Sequence, residues 1–168
     1  GAKGISAFIV EKGTPGFSGK PMKLMAPHPI GELTFNDCRI PKDNIIGEPG
    51  QGMRIAMTTL DFMRTSVGAH ALGTAQRAYE EALNYAKNRK AFGQPIANFQ
   101  NTQFKLADMA TELDAARLLV YRAAWMRDEV SDRVTKEASM AKLYATEMAG
   151  RVVDQALQIH GGYGVLRG

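Results

Sequence analysis

Cysteine is almost missing from this 168-residue chain: Cys38 stands alone. One thiol excludes an internal disulfide and any cysteine-rich zinc site, and it fits a reducing compartment. Histidine is scarce too, and His28, His70 and His160 are too far apart to give a paired metal-ligand spacing. No apolar run approaches the roughly 18 residues that a membrane span needs. The opening residues lack the charged-then-apolar pattern of a signal peptide. No glycine-rich loop ends in Lys-Ser or Lys-Thr, and no Ser-His-Asp order stands out. Charge of one sign is not in great excess: Lys and Arg number 21 against 17 Asp and Glu, a net charge of +4. The basic residues are scattered among acids, with no basic stripe interleaved with aromatics, so no nucleic-acid partner is expected.

What is present divides the chain in two. Residues 1–50 are rich in Gly and Pro and show no helical period. Residues 4–10 carry Ile5, Phe8, Ile9 and Val10 and end at Gly13-Thr14-Pro15-Gly16, which reads as a strand and a turn. Leu33-Thr34-Phe35-Asn36 alternates and reads as a second strand. Pro27, Pro29 and Pro41 exclude long strands between and after them. Two or three short strands do not stand alone, so the region reads as part of a larger β domain.

From Gly52 the period becomes helical. Ala56, Leu60, Met63, Val67, Ala71, Ala75, Tyr79, Ala82 and Ala86 mark one face of a helix more than thirty residues long. A second helix is expected over residues 101–128, with Leu106, Ala110, Leu113, Arg117, Val120 and Ala124 on its stripe. A third is expected from Thr135 to His160, with Ala138, Ala141, Ala145, Met148, Val152, Ala156 and Ile159 inward. Thr135 is placed as its N-cap, and Gly161-Gly162 as its stop. The fold class is therefore mainly α: an antiparallel bundle of three long helices, a four-helix bundle lacking its last helix, after a short partial β region. No Met opens the chain, and it stops at Gly168 where such a bundle needs one more helix, so it reads as a fragment.

Three patterns invite a chemical reading. Asp61 and Arg64, three apart on a helix, are neighbours that either pair or together meet a ligand. Asn88-Arg89-Lys90-Ala91-Phe92-Gly93-Gln94, followed by Phe99-Gln100, combines helix-end cations with residues a helix end does not require; Arg89 there could clamp a pyrophosphate. Gln158-Ile159-His160-Gly161-Gly162-Tyr163-Gly164 holds more glycine than a cap requires and lets a ligand approach the backbone; His160 reads as a helix-end residue rather than a base.

In order, these patterns resemble the acyl-CoA dehydrogenase family. The likeness also takes in Thr14-Pro15-Gly16-Phe17, Phe35-Asn36-Asp37-Cys38-Arg39-Ile40-Pro41, Asn44-Ile45-Ile46-Gly47-Glu48, Phe104-Lys105-Leu106-Ala107-Asp108-Met109-Ala110 and the run from Ala115-Ala116-Arg117 to Trp125. The resemblance implies that residues 1–48 are the second half of the family's middle β domain. Residues 49–168 then form most of its C-terminal helical bundle.

It also implies α,β-dehydrogenation of acyl-CoA thioesters with FAD as cofactor and electron-transfer flavoprotein as acceptor. The complete enzyme is expected as a homo-oligomer, a dimer of dimers, in the cytoplasm or in the mitochondrial matrix of a eukaryote. Asp61 and Arg64 then resemble residues that hold the CoA part of the substrate. Arg89, Phe92, Gln100, Gln158, Gly161 and Gly162 resemble residues around the FAD of a neighbouring subunit. No catalytic residue is assigned: some relatives carry the base just before the arginine of the Asp-x-x-Arg pattern, and Met63 stands there; a thioether takes no proton at neutral pH. Ala26-Pro27-His28-Pro29 departs from the family pattern, which leaves chain-length preference open. The alternatives are an acyl-CoA oxidase-like flavoenzyme on the same scaffold and a noncatalytic helical assembly module.

Overall fold

A computed structural model describes residues 4–25 and 28–166. Ala26 and Pro27 of the departing loop, and Gly168, lie outside them. The chain forms two compact units, residues 1–58 and 59–168.

The first unit is built from two short antiparallel pairs. Strand β1 (Ala7–Phe8) pairs with β4 (Ile45–Ile46), and β2 (Phe17–Pro21) pairs with β3 (Gly31–Phe35). The strand expected over residues 4–10 is thus only two residues long, extended by two bonds between Ile9 and Asn44: the Ile9 N–H donates to the Asn44 carbonyl at 2.9 Å, and the Asn44 side-chain Nδ2 donates to the Ile9 carbonyl at 3.0 Å. Period-2 reading found β3 but missed β2, because Ser18, Gly19 and Lys20 carry no apolar alternation. Gly16 is indispensable to the hairpin. Its φ is +81°, and a Cβ there would lie 2.2 Å from the Asn36 carbonyl oxygen.

Three long helices follow: α1 (Gly52–Asn88), α2 (Gln100–Glu129) and α3 (Thr135–His160). Between α1 and α2 the chain makes a tight hairpin, β5 (Lys90–Ala91) against β6 (Gln94–Pro95). A 3-10 turn, Gly161–Val165, closes α3. Neighbours in sequence run antiparallel, as short connections require. Arg151 Nε meets Glu112 Oε1 at 3.1 Å, and Lys105 meets Gln155, so α2 and α3 run oppositely. Arg117 Nη2 donates to Gln76 Oε1 at 2.8 Å and ties α2 to α1. Helix α3 then runs parallel to α1: Asp61 faces Thr135, Gly68 faces Ala141, and Tyr85 faces His160. At Gly68 a Cβ would sit 3.2 Å from the Ala141 carbonyl oxygen, so the two backbones approach closely there.

The core is alanine-rich, with Ala75, Ala82, Ala86, Ala116, Ala123, Ala141 and Ala145 fully buried around Leu113, Met148 and Val152. The α3 stripe is as expected from Ala138 to Ala156, while the other two are right only in part. On α2 the expected Leu106, Leu113 and Val120 are buried, joined by Met109, Ala116 and Ala123 in place of Ala110, Arg117 and Ala124. On α1 the expected face is right from Ala75 to Ala86, but Leu60, Met63 and Val67 are exposed while Gly68 and Leu72 are buried. The cause is geometric. The chosen stripe stepped by nearly four residues each time, so at 3.6 residues per turn Ala56 lies about 100° round the helix from Ala75.

Candidate functional site

The residues singled out from the sequence fall into two groups at opposite ends of α1. At its N-terminal end, Asp61 Oδ1 accepts from Arg64 Nη1, and Asp61 Oδ2 accepts from the Thr135 hydroxyl at 2.5 Å. Helical spacing puts Asp61 and Arg64 one turn apart; the parallel run of α3 brings Thr135 to them. The Asp61 and Arg64 side chains are 23% and 30% exposed, enough for a ligand to reach the guanidinium. Thr135 is not the N-cap expected for it. Val134 occupies that position with no side-chain capping bond, and the Thr135 hydroxyl reaches α1 instead. Met63 is about half exposed, on a different face of α1 from Arg64.

At the other end, a pocket of about 380 Å³ is lined by Tyr85, Arg89, His160, Gly161, Gly162 and Tyr163, with Ile96, Ile159 and Leu166 as its apolar part. The ends of α1 and α3 build it. Tyr85 stacks on His160 with ring centroids 4.6 Å apart, and the Arg89 guanidinium carbon lies 5.7 Å from the centre of the Tyr163 ring. His160 Nδ1 lies 2.8 Å from the Ala156 carbonyl oxygen. A carbonyl only accepts, so Nδ1 carries the proton and the ring is tethered to its own helix. That is a helix-end role. Gly161 turns the chain at φ +59°, and a Cβ on Gly161 or Gly162 would meet nothing within 4 Å. Open space therefore lies above both backbones. A guanidinium, flat aromatic rings and accessible backbone form a donor set suited to a phosphate-bearing ligand with a planar ring, so the residues present fit a dinucleotide such as FAD.

Of the six residues picked for such a ligand, Arg89, Gly161 and Gly162 meet in this pocket. Phe92, Gln100 and Gln158 are exposed outside its lining. Gln100 is the first residue of α2, one position before the expected start. Sequence reasoning assigned no role to Tyr85 or Tyr163. Tyr85 is one turn before Arg89, a spacing that could have flagged it, and Tyr163 sat unremarked within the glycine-rich stretch.

Phe92 has an unusual backbone. It occupies φ +50° at the tip of the β5–β6 hairpin, is 97% exposed, and touches Phe99 edge-on at 6.2 Å. With Gly93 at φ +80° this is a two-residue turn with both central residues left-handed, where Asn-Gly is the favoured pair. A phenylalanine there costs about 1 kcal/mol or more. Phe92→Asn is expected to raise the unfolding free energy by about 1 kcal/mol in urea titration. A lowered denaturation midpoint would show that the Phe92–Phe99 contact outweighs the strain.

Among the described residues, no cluster of three or more His, Cys, Asp or Glu could hold a metal ion, and no helix is long and apolar enough to cross a membrane. The family described as "Acyl-CoA dehydrogenase, C-terminal domain" matches residues 50–168. The mouse protein (Mus musculus) named short-chain specific acyl-CoA dehydrogenase, mitochondrial, is 51% identical over 165 residues, which are 96% of this chain and 40% of that protein. Butyryl-CoA dehydrogenase from Megasphaera elsdenii superposes with a TM-score of 0.94 at 47% identity, over 99% of this chain and 44% of that one. A chain in a structure described as the electron transferring flavoprotein of Acidaminococcus fermentans gives a TM-score of 0.95 at 47% identity, again covering 99% and 44%. The chain thus spans less than half the length of the relatives it matches.

Proposed function

This chain belongs to the acyl-CoA dehydrogenase family, and from that premise we propose that it supplies the CoA-holding and flavin-holding helices of an FAD-dependent acyl-CoA dehydrogenase. The reaction is α,β-dehydrogenation of an acyl-CoA thioester. The observation that carries the reading is the separation of the two groups. Arg64 and Arg89 are 25 residues apart along α1 and its exit, about 37 Å at 1.5 Å per residue. One flavin meeting both would have to bridge the helix's length. Two ends serving two sites is what a homo-oligomer needs: Arg64 works on its own subunit's substrate, and Arg89 reaches the neighbour's FAD.

In this reading bound FAD supplies the hydride acceptor, and this chain's residues bind and orient. Arg64 donates to acceptor oxygens of the CoA moiety. Arg89 places its planar fork on the pyrophosphate, with Gly161 and Gly162 leaving the backbone open beside it. Phe92, Gln100 and Gln158 flank the same cofactor from the hairpin and the helix ends. No residue here serves as base: the position before Arg64 is Met63, so proton abstraction falls to a carboxylate elsewhere in the complete protein. The division into a β part over residues 1–48 and a bundle part over residues 49–168 follows the family's architecture. Electron-transfer flavoprotein is the proposed acceptor, which the likeness to the A. fermentans structure supports. The cytoplasm, or the mitochondrial matrix in a eukaryote, is the proposed location.

Anaerobic titration of the FAD-loaded holoenzyme with butyryl-CoA tests this. Stoichiometric bleaching of the flavin's visible absorbance is expected, while these 168 residues alone should be inactive. A flavin-loaded protein that no straight-chain acyl-CoA bleaches would overturn the reading. Reoxidation by oxygen as fast as by electron-transfer flavoprotein would replace the dehydrogenase with an oxidase.

A further inference from the structure

We propose that Thr135 is a positioning residue for acyl-CoA binding: from the first turn of α3 its hydroxyl anchors the Asp61 carboxylate, which in turn aims Arg64. The proposal rests on the reading that Arg64 meets the CoA moiety.

The Asp61 carboxylate is shared between two partners. Oδ1 takes the Arg64 Nη1 bond and Oδ2 takes the Thr135 hydroxyl at 2.5 Å, at the short end of charge-assisted O–H···O⁻ bonds. The hydroxyl has a fixed sense. Arg133 Nε approaches the same oxygen at 3.4 Å as a donor, so the oxygen accepts there and its proton goes to Asp61. It is not spent on capping, since Val134 is the N-cap and makes no side-chain bond. Asp61 is thereby engaged on both oxygens inside the fold. Arg64 is engaged through one nitrogen of a five-donor fork and keeps donors for a ligand. The division of labour follows. Arg64 contacts the ligand, Asp61 holds Arg64, and Thr135 stops the carboxylate from rotating about its own side-chain torsions. Because Thr135 belongs to α3, the aim of Arg64 is set by the packing of two helices, not by α1 alone.

The test compares butyryl-CoA affinity, read from the flavin spectrum, in the wild-type holoenzyme and in Thr135→Val, Thr135→Ser, Arg64→Ala and the Thr135→Val/Arg64→Ala pair. Thr135→Val should weaken binding about tenfold and leave the rate at saturating substrate within about twofold. Thr135→Ser, which keeps the hydroxyl, should bind within about twofold of wild type. In the Arg64→Ala background the valine substitution should add nothing further, since nothing remains to be aimed. A Thr135→Val enzyme that binds like wild type while Arg64→Ala does not would overturn the proposal and leave the CoA reading standing. So would a serine variant as weak as the valine one. If Arg64→Ala binds like wild type, the CoA reading falls and the proposal with it. Should the valine variant not fold, Thr135→Ala against Thr135→Ser makes the same comparison.

Discussion

Replacing Leu113 with Ala is expected to cost the bundle about 2–5 kcal/mol, the range for truncating a buried leucine. Leu113 is 2% exposed in the middle of α2, and it is one of few large side chains among a core of alanines. Small residues let the helices approach closely, as at Gly68 and Ala141. Close backbones resist collapse into a new void, and only Met109, one turn away on α2, and Met148 can bend toward it, so most of the cavity persists and the cost stays within that range. Leu118, two-thirds exposed on the same helix, is the control: its truncation should change stability by less than about 0.5 kcal/mol. Urea unfolding of both variants, with equal m-values, makes the comparison. A Leu113→Ala loss below 1 kcal/mol would mean that the helices slide together more readily than the glycine and alanine contacts indicate.

Arg89→Ala in the holoenzyme is expected to raise the FAD dissociation constant about 10- to 150-fold. That range corresponds to roughly 1.5–3 kcal/mol for a hydrogen bond to a charged group. The side chain is exposed, with its guanidinium over the Tyr163 ring at the mouth of the pocket. Since a ring face and a phosphate both attract the cation, the fork is already held at the pocket before it meets an anion. Arg89→Lys should recover only part of the loss, because an ammonium cannot make the two parallel bonds. Flavin content and release rate after dialysis are the measurements. Unchanged release in the alanine variant would reduce Arg89 to a cation that merely complements the end of α1.

The sequence by itself determined the elements that depend on neighbours along the chain. A period near 3.6 sustained over 26 to 37 residues yields three helices wherever they pack, and α3 was legible from Thr135 to His160 with its buried face. The ordered motifs also carried the family, later matched over residues 50–168. Local pairing of Asp61 with Arg64 follows from spacing alone. What depends on rotation about a helix axis was not legible: a stripe read in steps of nearly four drifts by about 100° over 19 residues. The burial of Gly68 and Leu72 in place of Met63 and Val67 was therefore decided by α3 lying alongside. The same parallel run of α3 converted Thr135 from a presumed cap into a partner of Asp61, because a hydroxyl 74 residues away in sequence arrives only through packing. It also brought His160 and Tyr163 to Tyr85 and Arg89. The strands show the converse case: β2 has no apolar alternation, and it exists because β3 offers a complete ladder of backbone partners.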